Sequence, residues 1–188
     1  MKQLFLLLTL TLCLTSLTAQ ENTTNRKTEK TSIFERKHEV KLGAIKMLAG
    51  PIFEGGYEYI LDTNQGFGAY LLLNLDSSNE WFEDYSLTPF YRFYFQKNEQ
   101  YGAKGFFVEG FSSFFIDDDE EFSFDQNGNI IYNDSSSFDI GLGIALGQKW
   151  VNTAGFVLEI KLGAGRNLLG NTSNDAIIKA DFYLGYRF

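Results

Sequence analysis

The densest group of reactive side chains in this 188-residue chain is acidic: Asp117, Asp118, Asp119, Glu120, Glu121, Asp125 and Asp134 place seven carboxylates and no base between residues 116 and 136. Clusters of hard oxygen donors suit Ca²⁺. Asp125-Gln126-Asn127-Gly128-Asn129, however, keeps only part of a calcium-loop spacing and lacks its closing Glu. A run of like charge ordinarily faces water, so no metal ligand set is assigned. His38 is the sole histidine and would have to be the base of any Ser-His-Asp arrangement, yet no Gly-x-Ser-x-Gly elbow accompanies it. Glu54 and Glu58 could pair as acid and base, but two carboxylates on one face are equally what a salt-bridge network needs. The residues point to no catalytic site, no cofactor and no enzyme activity.

The elements that would hold these groups come from a period of two. From residue 39 onward, apolar and polar residues alternate in eight segments: Glu39 to Met47, Phe53 to Leu61, Phe67 to Asn74, Ser86 to Gln96, Lys104 to Phe115, Ser137 to Gly147, Gly155 to Gly163 and Ile177 to Phe188. That period marks two-faced strands, and no segment reads better as a helix. Strands of about 9 to 12 residues are long enough to cross a bilayer at a tilt. The links 62–66, 97–103 and 148–154 are short and alternate with the longer 76–85, 116–136 and 164–176; only 48–52 breaks the rule. The expectation is an all-β, eight-stranded antiparallel up-and-down transmembrane β-barrel over residues 39–188, in the cell outer membrane, with short periplasmic turns and long external loops.

The polar face of these segments carries Glu39, Lys41, Glu54, Glu58, Arg92, Glu109, Asp139, Glu159, Lys161, Lys179, Asp181 and Arg187, seven acids and five bases. The lumen of an eight-stranded barrel is only wide enough to be filled by side chains. Charges turned into it would have to neutralise one another, with same-face glycines making room for the long side chains. Phe107 and Phe111 also fall on this face, against the pattern. In a soluble barrel the same charges would face water around an apolar lumen.

Residues 1–19 read as a secretory signal peptide: Met1 and Lys2, an apolar run from Leu4 to Leu17, and Ala19 at the cleavage site. The single cysteine, Cys13, lies inside that run, so the mature chain has no disulfide, zinc-thiolate site or cysteine nucleophile. Residues 20–38 are polar without a sustained period and read as a flexible periplasmic tail. A net charge of -8 and a pI near 4.7 exclude nucleic acid as a partner.

Phe182, Leu184, Tyr186 and Phe188 alternate up to the last residue. This resembles the terminal-strand signal of outer-membrane barrels, and the resemblance implies recognition by the barrel-assembly machinery during insertion, with outer-membrane lipid around the finished protein. Trp150 and the terminal aromatics would then belong to an interfacial girdle. More broadly the chain resembles the small OmpA/OmpX-type barrels. It is similar in particular to an uncharacterised family of small outer-membrane barrels, in Tyr91-Arg92-Phe93-Tyr94-Phe95, Gly105-Phe106-Phe107-Val108-Glu109-Gly110, Gly147-Gln148-Lys149-Trp150 and Gly155-Phe156-Val157-Leu158-Glu159. The resemblance implies fold and location and carries no activity or ligand. The functional expectation is a structural or surface-interaction barrel closed by a salt-bridge network. Its alternatives are a narrow pore for small solutes and a soluble lipocalin-like carrier in the periplasm; the latter calls for a Gly-x-Trp near the first strand and a helix after the last, and neither is present. Calorimetric titration with millimolar Ca²⁺ is expected to give no saturable heat; a saturable signal lost when Asp117, Asp118 and Asp119 become Asn would overturn the solvated reading of the acidic run.

Overall fold

The structure, a computed structural model, describes residues 33–75, 84–97, 99–124, 130–170 and 175–188. The signal peptide expected over 1–19 and the tail up to residue 32 lie outside the described residues. A short 3-10 turn, Ile33–Glu35, precedes eight strands: β1 His38–Gly43, β2 Ile52–Asp62, β3 Gln65–Asn74, β4 Tyr85–Tyr94, β5 Gly105–Phe124, β6 Ile130–Val151, β7 Phe156–Asn167 and β8 Ala176–Arg187. Each pairs antiparallel with its neighbour in sequence, and β8 returns to β1, so the sheet closes into the expected eight-stranded up-and-down barrel. The closing seam runs from Glu39↔Arg187 to Gly43↔Tyr183. His38 and Phe188 extend it by exchanging backbone hydrogen bonds of 3.2 and 2.8 Å, so the final residue helps remove the last free edge. Their end of the barrel is called the lower end below.

Residues 44–47, expected as strand, form a helix instead: α1, Ala44–Ala49. Ala, Lys, Met and Leu favour a helix, and β1 stops where Asp181 approaches it. A Cβ on Gly43 would lie 2.5 Å from Asp181 Oδ2, while Asp181 Oδ1 accepts the Ile45 N–H at 2.9 Å. The first upper link therefore spans 44–51, and the apparent exception among the links disappears.

The acidic run is a second correction. Residues expected as an external loop continue β5 and β6 as a paired ribbon, from Asp117↔Ser137 to Phe124↔Ile130. Phe122, Phe124, Ile130, Ile131 and Tyr132 are good strand formers, and the ladder satisfies the backbone that a free loop would leave to water. β6 likewise runs past Gly147 to Val151. Its turn is compact because Asn152 Oδ1 accepts the N–H groups of Ala154, Gly155 and Phe156 at 3.0, 2.9 and 2.9 Å, and Gly155 takes the left-handed conformation this requires, φ +103. The expected tail also ends early: Ile33 is buried beside Val151 and Val157, and Phe34 packs against Ile60, Tyr94, Ala103 and Phe107.

Large and small residues are matched across neighbouring strands inside the wall. Tyr70 stands opposite Gly56, Phe90 opposite Gly68, and Phe111 and Phe107 opposite Gly143 and Gly147. Each ring lies where its partner's side chain would be; a Cβ on Gly56 would meet Tyr70 Cε1 at 2.5 Å. Such interdigitation fills a narrow core without strain. Gly68→Ala would drive a methyl into the Tyr57 carbonyl oxygen and within 2.8 Å of Phe90 Cζ and 2.9 Å of the Glu58 Cα. With backbone on one side, the expected loss is about 1–3 kcal/mol, read as a lower urea midpoint of the folded band on unboiled gels.

Candidate functional site

All twelve charged residues expected on the polar face lie inside the barrel, and none is more than 6% exposed. Seven acids against five bases would leave two negative charges without counter-ions. Lys46 on α1 and Lys149 near the end of β6 supply them, at 3% and 0% exposure, so the buried charges among the described residues are seven acids and seven bases.

Arg92, on β4, is the hub. Its Nε donates to Glu109 at 2.5 Å, Nη1 to Glu58 and Glu159 at 2.8 and 2.7 Å, and Nη2 to Glu159 and the Tyr70 hydroxyl at 2.8 and 2.5 Å. The guanidinium also sits 4.5 and 4.2 Å from the ring centroids of Phe90 and Phe107. Only arginine presents such a planar fork of donors together with a stackable face. Lys41 lies 2.7 Å from Glu58 and 2.9 Å from Glu159. Lys149 lies 2.7 Å from Glu58 and 2.9 Å from Glu39. Glu39 Oε1 makes no aligned hydrogen bond and is held by charge, between Lys149 and, at 3.4 Å, Lys41. Lys161 reaches Glu109 at 3.1 Å with its ammonium 3.7 Å from the Tyr70 ring centroid.

The oxygens of Glu39, Glu58 and Glu159 come within 4.8 Å of one another, a geometry that could hold a metal ion. The chain's own ammonium and guanidinium groups already stand among them, so Lys41, Lys149 and Arg92 occupy the place of a cation.

Two smaller groups flank this network. Toward the upper end, Glu54 accepts from Lys46 and, at 2.8 Å, from the Tyr183 hydroxyl, and Asp181 lies 3.8 Å from Lys46. Asp139 accepts the Leu169 N–H at 3.0 Å and so ties down the link between β7 and β8; it and Lys179 stand apart from the Arg92 hub. At the lower end, Arg187 pairs with Glu39 at 2.8 Å and donates to the carbonyls of Tyr101, Gly102 and Ala103 at 2.6, 3.1 and 3.0 Å. This folds the link between β4 and β5 under the barrel, against Phe34, Tyr94 and Phe107.

The outward strand positions are the inverse of the interior. Among the described residues whose exposure is defined, the exposed strand positions carry only two charges, both at strand ends: Asp62, the last residue of β2, and Arg166, at the upper end of β7. At the lower end every strand adds an outward ring: His38, Tyr59, Phe67, Phe93, Phe106, Trp150, Phe156 and Tyr186. Of the terminal positions, Leu184, Tyr186 and Phe188 are 52%, 40% and 53% exposed, and Phe182 is partly covered. His38 donates or accepts at the Tyr57 hydroxyl, 2.7 Å away, and stacks on Phe188, which makes it a member of this belt.

Lys149 was missed because the sixth segment was ended two residues too soon; its parity with Asp139 and Gly147 places it inside. Phe90 shares parity with Thr88 and Arg92. Lys46 has no periodic signal, since it enters the barrel from a helix.

No protein-family model matches the chain, and no curated protein matches it. Among solved structures it is similar to the N-terminal β-barrel domain of Pseudomonas aeruginosa OprF, with 11% identity, a TM-score of 0.52, and coverage of 81% of this chain and 98% of that one. At that identity the shared property is the fold.

Removing the Arg92 guanidinium leaves Glu109 and Glu159 short of a buried partner. Arg92→Met is expected to cost about 3–5 kcal/mol, measured as a shift of the urea unfolding midpoint. Adding Glu109→Gln and Glu159→Gln should restore part of it, and a midpoint unchanged by Arg92→Met would show that the hub contributes nothing.

Proposed function

We propose that the chain is an integral outer-membrane β-barrel of structural or surface-interaction role, whose lumen is closed by its ionic network. One observation carries the reading: the outward wall is apolar with an aromatic belt, while the charges lie inside and cancel. Apolar wall facing hydrocarbon and polar groups facing the lumen is the distribution a membrane barrel needs. A soluble lipocalin-like carrier needs the reverse, an apolar lumen for its ligand and a charged exterior.

The likeness in fold to the OprF barrel domain is in keeping with this reading. The outward residues Phe182, Leu184, Tyr186 and Phe188, on the strand that seals the barrel, are proposed as the signal read by the assembly machinery. Closure rather than conduction is supported by how the interior is filled. Arg92, Glu58, Glu109, Glu159 and Lys149 have no exposed surface, and Tyr94 and Phe107 beneath them are equally sealed. A water path would have to part ion pairs that have no other solvation.

The purified, refolded protein is expected to migrate differently before and after boiling and to stay with membranes through a carbonate wash. In planar bilayers it should give no steady single-channel steps. Release by carbonate would sink the membrane reading, whereas reproducible steps would replace the closed barrel by the narrow pore.

A further inference from the structure

The outer wall is not uniformly smooth. Near the lower end, β6, β7, β8 and β1 border an apolar groove of about 890 Å³. Val40 and Leu42 form one side, Leu184 and Tyr186 the middle, and Leu158 and Trp150 the other side. Leu184 pairs with both Leu42 and Leu158 across its two ladders, so these three residues stand at one height on the wall. Trp150 lies one residue from the lower end of β6, the level at which its ring would meet headgroups.

Lys104 also lines the groove, at that lower end. Its ammonium is held 3.8 Å from the Tyr101 ring centroid, and no carboxylate pairs with it among the described residues. Nearby, Arg36 donates from Nη1 to the Ala154 carbonyl at 2.9 Å, in the turn that joins β6 to β7. It too has no carboxylate partner among the described residues. Inside the barrel every cation of the hub is matched by an acid, yet Lys104 lines an apolar trough, and Arg36 stands at the turn beside its lining residue Asn152, with no acid on either among the described residues.

We infer that this groove is a binding site for a phospholipid, with one acyl chain along Val40, Leu158 and Leu184 and the headgroup phosphate on Lys104 and Arg36. The chemistry is complementary at both ends: hydrocarbon against aliphatic side chains, a phosphate against two cations that have no carboxylate partner among the described residues, and Trp150 at the boundary between them. The inference rests on the membrane reading above and adds to it a defined lipid of the lower leaflet.

Native mass spectrometry of the delipidated, refolded barrel in detergent tests it, with phosphatidylglycerol as probe and a diacylglycerol of the same chains as the headgroup-free control. One phosphatidylglycerol should be retained per barrel, and the diacylglycerol more weakly. Lys104→Glu should weaken retention by about five-fold or more, the factor that follows from one basic side chain beside a lipid phosphate. Val40→Trp should block it by filling the trough while leaving the boiled and unboiled mobilities distinct. Retention unchanged in both variants, lipid adding without saturation, or a second copy of the chain in place of lipid would each overturn the site. A wild-type chain with no difference between boiled and unboiled mobility would instead overturn the membrane barrel itself.

Discussion

Fourteen charged side chains enclosed by one wall can coexist only if they cancel. An ion taken out of water loses several kcal/mol of solvation that only close, well-aligned partners return. This condition orders the rest of the molecule. It places Arg92 at the centre, because five donors in a plane can serve three carboxylates and a tyrosine at once. It explains why α1 turns Lys46 into the upper end and why β6 runs on far enough to bring in Lys149. It also gives Arg187 a double task, since the side chain that neutralises Glu39 holds the carbonyls of the lower link.

Much of this was legible in the sequence. The period of two, read with the short and long links, led to eight strands and to their order, because a hairpin connection leaves little choice of neighbour. Parity placed the twelve charges on the face whose side chains are buried. What parity could not register was any contribution from outside the strands, and so Lys46 was missed. The imbalance of seven acids to five bases was itself a sign that two bases remained to be found. The acidic run was misread because charge was weighted above the strand propensity of Phe122, Phe124, Ile131 and Tyr132 around it. Tertiary pairing within a hairpin overrode that local signal.

Fit inside the wall is arranged locally. The rings of Tyr70, Phe90, Phe107 and Phe111 each face a glycine on the next strand at the same register, so the large interior residues do not compete for one central space. The ionic hub then rests between two aromatic groups, Tyr70, Phe90, Phe111 and Tyr183 in one, Tyr94 and Phe107 in the other. Packed above and below, it is shielded from solvent.

A neutral interior has a consequence for the outside. If the buried charges sum to zero, the net charge of -8 resides beyond the wall, and the segment 116–136 alone carries seven acids and no base. Six of these acids lie in β5 and β6, whose paired ribbon continues for eight residues past Ile116, the last residue of β5 paired with β4. At roughly 3.3 Å per residue the ribbon reaches about 26 Å from that point, several times the screening length of about 8 Å in physiological salt. An approaching molecule would meet the field of this negative ribbon before it felt the barrel, so the protein's electrostatic face to its surroundings is set by one hairpin.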